Sequence, residues 1–167
     1  MGALATTFET AFLHRRAVAE DDIDFMGHVN NLVYLRWAAE MAERHWQRGV
    51  ESSAGVIGGA FQSAQGALHA LFGAAVAEVA ADMQAAGLWI VLRHEIDYHR
   101  ELKLGDEVEL RTWVDPVKGV RCPRHVDIRK AGSDKASAKV LTIWTFIDTQ
   151  TRRPKRLPPD MKALFGM

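Results

Sequence analysis

The period of the apolar residues changes from helical to alternating near Gly87, and that change restricts the fold more than any single motif. Before it, Val33, Trp37 and Met41, and beside them Tyr34, Ala38 and His45, recur at helical spacing. After it, Val108, Leu110, Thr112 and Val114, then Val140, Thr142, Trp144 and Phe146, alternate with polar partners, as half-buried strands do. The alternation predicts strands over residues 88–102, 106–117, 121–130 and 137–148. Turn-forming links (Leu104-Gly105-Asp106, Lys118-Gly119 and Ala131-Gly132-Ser133-Asp134) join them, which predicts a meander. Residues 8–18 read as a further strand ahead of the helix, with Phe8, Thr10 and Phe12 on one face. Asn30 or Asn31 is a fitting helix cap and Gly49 a fitting stop. One strand, one long helix and a run of antiparallel strands make an α+β chain, a sheet wrapped over a helix.

The remaining stretch, residues 60–86, is biased to alanine, with Phe61, Leu68, Leu71, Phe72, Val76, Val79 and Met83 at roughly helical spacing. It predicts one long helix or two shorter ones, broken near Gly66 and Gly73, inserted at about residues 52–87 of a single domain covering 1–167. That length suits one sizeable core and is short for two. Lys plus Arg and Asp plus Glu both number 21, so no basic field for nucleic acid is expected. No run is apolar enough to span a membrane, and the first ten residues lack the charged-then-apolar pattern of a secretory leader. With Cys122 as the lone cysteine, an internal disulfide is impossible and a cytoplasmic setting is expected.

Chemistry concentrates in Asp22-Ile23-Asp24-Phe25-Met26-Gly27-His28-Val29-Asn30-Asn31, just ahead of the helix. Acids, an imidazole and the free N–H groups of a helix start are the parts needed to attack a carbonyl and hold the oxyanion that forms. An extended segment would set Asp22 and Asp24 on one side; a plain solvated acidic loop is the competing reading. Other signals fail. The seven histidines show no paired metal-ligand spacing, so no metal is expected. Cys122, ahead of Pro123, sits in no pattern that would activate it, and no glycine-rich phosphate loop opens a helix. Arg121, Arg124, Arg129, Lys130, Arg152, Arg153, Lys155 and Arg156 read as solvated strand faces, or as contacts for phosphates.

The acidic loop resembles the signature of the hotdog-fold thioesterases of the 4-hydroxybenzoyl-CoA thioesterase-like branch, D-x-D-x-x-G-x-x-x-x-x-x-Y, carried here by Asp22, Asp24, Gly27 and Tyr34. His28 to Tyr34, H-V-N-N-L-V-Y, is more similar to the acyl-carrier-protein thioesterases. The likeness extends to Ile96-Asp97-Tyr98-His99-Arg100-Glu101-Leu102-Lys103-Leu104-Gly105-Asp106 and to Asp148-Thr149-Gln150-Thr151-Arg152-Arg153-Pro154 with Leu157-Pro158. It implies a hotdog fold and hydrolysis of an acyl-CoA thioester, with acyl-ACP hydrolysis or non-catalytic binding of an acyl thioester as alternatives. Asp24 takes the place of the catalytic carboxylate, as nucleophile or as base on water, with the oxyanion hole at the helix start by Asn31. Glu101 stands where relatives carry an acid or cysteine, and reads either as a partner base or as a strand-end charge. His28 matches a catalytic position whose usual companion asparagine is here Met26, so it reads as catalytic or as a structural hydrogen bonder. Gly27, Asn30, Tyr34 and Trp37 are expected at the substrate. Glu40 is expected to pair with Arg36 or Arg44. No cofactor is implied beyond the coenzyme A of the substrate. Relatives join sheets edge to edge, which implies a homodimer or a dimer of dimers.

Overall fold

The computed structural model describes residues 6–52 and 87–158, so the alanine-rich insertion and the helix or turn expected at 160–165 lie outside the described residues. Strand β1 (Phe12–Ala17) leads through a short 3-10 turn (Glu20–Asp22) to helix α1 (Asn31–Ser52). Strands β2 (Leu88–Tyr98), β3 (Glu107–Val114), β4 (Arg121–Lys130) and β5 (Ala138–Ile147) follow. They form one antiparallel sheet in the order β1-β3-β4-β5-β2.

Three expectations need correction. The first strand begins at Phe12 and not at Phe8, because the chain turns ahead of it, with Ala11 N donating to Phe8 O at 3.3 Å. Only β3, β4 and β5 run as a meander; β2 pairs with β5 instead of β3, leaving β1 and β2 as the edges. The turn expected at Leu104-Gly105-Asp106 is present, with Asp106 N donating to Lys103 O at 3.0 Å and Gly105 at φ +80, but the segment that holds it crosses between strands that are not neighbours: His99 N donates to Ser137 O and Val18 N to Asp106 O. The helix also continues through Gly49 to Ser52, since an interior glycine costs only about 1 kcal/mol against alanine and stops a helix only where the chain turns out of it.

Along α1 buried pairs recur from Val33–Tyr34 through Trp37–Ala38 and Met41–Ala42 to His45–Trp46, a stripe at the 3.6 period. This stripe packs on β3, β4 and β5. Trp37, 0% exposed, sits in a cluster with Met41, Val108, Leu110, Val126, Ile128 and Val140. A second cluster gathers Trp46, Trp89, Val114, Cys122, Phe146 and Leu157 at the far end of the helix. Burial raises the Cys122 thiol to about 12, so the lone cysteine is inert filling. Arg124, expected on a solvated face, is buried against α1, donating to His45 Nδ1 at 3.0 Å and to Thr112 Oγ1 at 3.2 Å.

Gly87 enters β2 at φ +103, and a Cβ there would stand 2.6 Å from Ile147 O and from the Phe146 ring. Only glycine fits that approach.

Candidate active site at the start of helix α1

Between the 3-10 turn and α1 the chain folds back on itself, with Ile23 and Val29 paired across a turn that carries Asp24 to His28. Asp24 N donates to His28 O at 2.9 Å and Gly27 N to Asp24 O at 3.0 Å. Gly27 holds φ +79, a conformation that side chains other than glycine adopt at a cost, while its Cβ position is open space. Asp24 Oδ1 accepts from Met26 N at 2.9 Å and from His28 N at 3.4 Å. One carboxylate oxygen of Asp24 therefore braces the loop.

Asp22 does something different. The 3-10 turn removes it from the face of Asp24 and buries it, 1% exposed, correcting the extended pairing expected from the sequence. Its Oδ2 accepts from Ala19 N at 3.0 Å and from Arg16 at 3.4 Å, and Oδ1 is bonded to Arg36. Its backbone carbonyl accepts from Asn30 N at 2.9 Å. Asp22 thus fastens β1, the loop and α1 together, with no oxygen turned to a substrate. Glu40, on the outer face of α1, meets Arg16 at 3.1 Å and Arg36 at 3.8 Å.

Asn30 caps α1: its Oδ1 accepts from Leu32 N at 2.9 Å, and its carbonyl from Val33 N at 2.9 Å. The Asn31 N–H precedes both and belongs to the first-turn donors without an intrahelical acceptor. Tyr98 OH donates to the Asn31 carbonyl at 3.0 Å, tying the end of β2 to the helix start. Val29 N donates to Leu102 O at 2.9 Å, which brings the segment after β2 beside the loop. There His28 Nε2 lies 2.7 Å from Glu101 Oε2, and Lys103 Nζ 2.9 Å from Glu101 Oε1. The Lys103 ammonium, with His28 beside it, holds the Glu101 carboxyl below its ordinary range. Glu101 is off the strand, which ends at Tyr98, and its ionised carboxylate orients the imidazole.

The fold gathers Asp24, Gly27, His28, Asn30, Asn31 and Glu101 at one end of the helix. It does not bring Tyr34 or Trp37 there: both are in the core, Tyr34 against the Tyr98 and Trp37 rings and Trp37 beneath the Arg16 guanidinium. Sequence reasoning misses Tyr98 as the strand-to-helix tie and Lys103 as the partner of Glu101. Both lie within a stretch that resembles the family, and only the loop geometry shows what they touch. Phe25, 98% exposed, with Met26 and Leu32, forms an apolar rim around the site.

A groove of about 350 Å³ opens at Leu32, in the first turn, and follows α1 along β2 and β5. A larger cavity of about 860 Å³ is lined by charges of both signs such as Asp97, Arg129 and Lys139, and reaches His99 and Arg100, next in the chain to Glu101. Among the described residues no cluster of His, Cys, Asp or Glu is arranged to hold a metal ion, and no helix is long and apolar enough to cross a membrane.

A five-stranded antiparallel sheet wrapped on one long helix, with polar groups collected at that helix's N-terminus, defines a hotdog-fold protein. Residues 18–165 match the thioesterase-like superfamily, and the chain belongs to it. No curated protein sequence matches. Among solved structures, a 1,4-dihydroxy-2-naphthoyl-CoA thioesterase from Synechocystis is similar at 17% identity, with 93% of this chain and 96% of that one covered and a TM-score of 0.65. A Thermus thermophilus thioesterase complexed with coenzyme A and Zn is similar at 22% identity, covering 93% and 97%, with a TM-score of 0.64. The 12:0-ACP thioesterase of Umbellularia californica shares 17% identity over 93% of this chain and 49% of its own, with a TM-score of 0.68. These likenesses establish the fold. Thioester hydrolysis is the chemistry of the superfamily.

Proposed function

We propose that this chain is an acyl-CoA thioesterase, releasing a free acid and CoA at the N-terminus of α1. The observation that carries this reading is the meeting of Asp24, the His28–Glu101 pair and the Asn31 N–H at one helix start. The thioester carbonyl oxygen lies at the Asn31 N–H, where the free donor and the helix dipole both favour negative charge. Asp24 takes a proton from water as the water oxygen bonds to the carbonyl carbon. The tetrahedral oxyanion collapses, the C–S bond breaks and the CoA thiolate leaves. A thiol pKa near ~8.5 means that leaving group needs little help from an acid. His28, held through Nε2 by Glu101, keeps Nδ1 free to orient the water.

Coenzyme A is favoured as carrier because two similar structures are named for a CoA thioester or for bound coenzyme A, and they match over nearly their whole length. The acyl-ACP thioesterase matches over only about half of its own chain. A second reading makes His28, backed by Glu101, the base; the 2.7 Å contact favours it.

Thiol release from short, long and aromatic acyl-CoAs by wild type, Asp24→Asn and His28→Gln separates these readings. The amide oxygen that Asp24→Asn leaves at this position would still accept the Met26 N–H, so the loop survives the change. A fall of about a hundredfold or more in folded Asp24→Asn is expected. Activity that survives Asp24→Asn and is lost in His28→Gln moves the base to the imidazole. Binding without thiol release by wild type overturns hydrolysis altogether.

A further inference from the structure

The groove beside the site is not uniformly apolar. Its helix wall runs from Leu32, Leu35 and Arg36, which Asp22 holds, to Ala38, Ala39 and Ala42, and Val91 and Trp144 face the alanines from the sheet. Between these lie His94 on β2 and Thr142 on β5, opposite each other in the ladder, with His94 Nδ1 2.9 Å from Thr142 Oγ1. Polar groups at this place are costly in front of an apolar ligand, because covering them removes water without returning a hydrogen bond.

A β-bulge puts His94 there. The register of β2 on β5 slips between Val91 and Arg93, so Val91 pairs with Trp144 while His94 pairs with Thr142. In an unbroken strand residues three apart point to opposite faces. The extra residue, Leu92, restores them to one face, and Val91 and His94 both line the groove. The strand runs antiparallel to the helix, tied by Tyr98 at Asn31 and by Trp89 against Trp46. His94 is four residues back from Tyr98, about 13 Å along the strand. Ala38 is likewise about 10 Å along the helix axis from Asn31. A group touching His94 is therefore several bonds removed from a carbonyl held at Asn31.

We propose that the His94–Thr142 pair selects acyl groups that carry a hydroxyl remote from the thioester. The inference rests on the reading of the α1 start as the thioester site. Partial burial lowers the His94 pKa, so the imidazole is neutral at neutral pH. With Nδ1 engaged, Nε2 is a donor in one tautomer and an acceptor in the other. A hydroxyl satisfies both, a keto oxygen only one, a methylene neither.

Binding is measured by calorimetry with non-hydrolysable thioethers of CoA: hexyl, octyl and decyl, each paired with its ω-hydroxy counterpart. Wild type is expected to bind the hydroxylated member of at least one pair about tenfold more tightly, as one net hydrogen bond at a partly open site provides. In the near-isosteric Thr142→Val, and in His94→Leu, that ratio falls to about one. Equal affinities in every pair, no binding of either member, or a preference surviving both variants overturns the proposal. A preference that holds while the corresponding thioesters release no thiol sinks the hydrolase reading alone.

Discussion

His45 stacks on Phe12 with ring centroids 5.4 Å apart and accepts from the Arg124 guanidinium through Nδ1. An arginine can only donate, so the ring proton is on Nε2. Burial first, and the Arg124 charge second, push the imidazole down to about 3. Burial likewise lowers Arg124, to about 10, so the guanidinium stays charged at neutral pH. The unfolded chain then binds a proton at His45 that the folded chain does not, between about pH 6.5 and about 3. Stability from this site is full above pH 6.5 and is lost as pH falls through that window, by at most about 1.4 kcal/mol per pH unit. Urea unfolding of wild type and His45→Gln from pH 7 to pH 4 should show the variant with the shallower decline, by up to one proton; equal slopes would mean His45 protonates while folded. None of this is legible in the sequence. His45 is recognisable there as a member of the helical stripe, but a buried arginine beneath it is not. Arg124 occupies a helix-facing position of β4 between Cys122 and Val126, and charge alone reads as solvent.

At the scale of elements, the sequence is most informative where side chain and backbone meet locally. Asn30 caps α1 because a short amide reaches its own N2 donor, a contact that depends on neighbours only. The glycine turn at Gly27 and the full span of β4 are readable for the same reason. The pairing of β2 with β5 and the bulge at Leu92 depend on partners distant in the chain, and alternation cannot report them. Asn30→Ala removes the acceptor for Leu32 N and should cost about 1 kcal/mol of stability. Because Asn30 N also donates to Asp22 O, the loop and helix start share one backbone anchor that the substitution leaves intact. Thermal unfolding should therefore show a modest loss with the site still formed. A loss above about 3 kcal/mol would show that the side chain holds more than the first turn.

For the molecule as a whole, the unpaired side of β2 is the outstanding feature. The strand pairs with β5 only, and beyond it the described sheet ends. Its exposed residues are Leu92 at 51%, Arg93, His94, Glu95, Asp97 and Tyr98 at 50%, and the same end of the molecule presents Phe25, Met26 and Leu32. A long edge strand is a template for pairing with another strand, and a run that holds charges of both signs can pair with its own antiparallel copy. We infer that a second copy of this chain pairs β2 to β2 about a two-fold axis, bringing two helix starts and their apolar rims toward one seam. An isologous seam makes every contact twice, once from each copy, so a single new acid is felt twice. Sedimentation should give wild type twice the 18.6 kDa of one chain. Leu92→Asp sets a charge on the bulge of that edge and should drive the protein toward the mass of one chain at micromolar concentration. Thiol release should fall with it, because the apolar rim loses its cover and water enters the groove at Leu32. If Leu92→Asp keeps both the mass and the activity of wild type, the seam lies elsewhere. If wild type itself sediments as one chain and turns over acyl-CoA, the site is complete within a single copy.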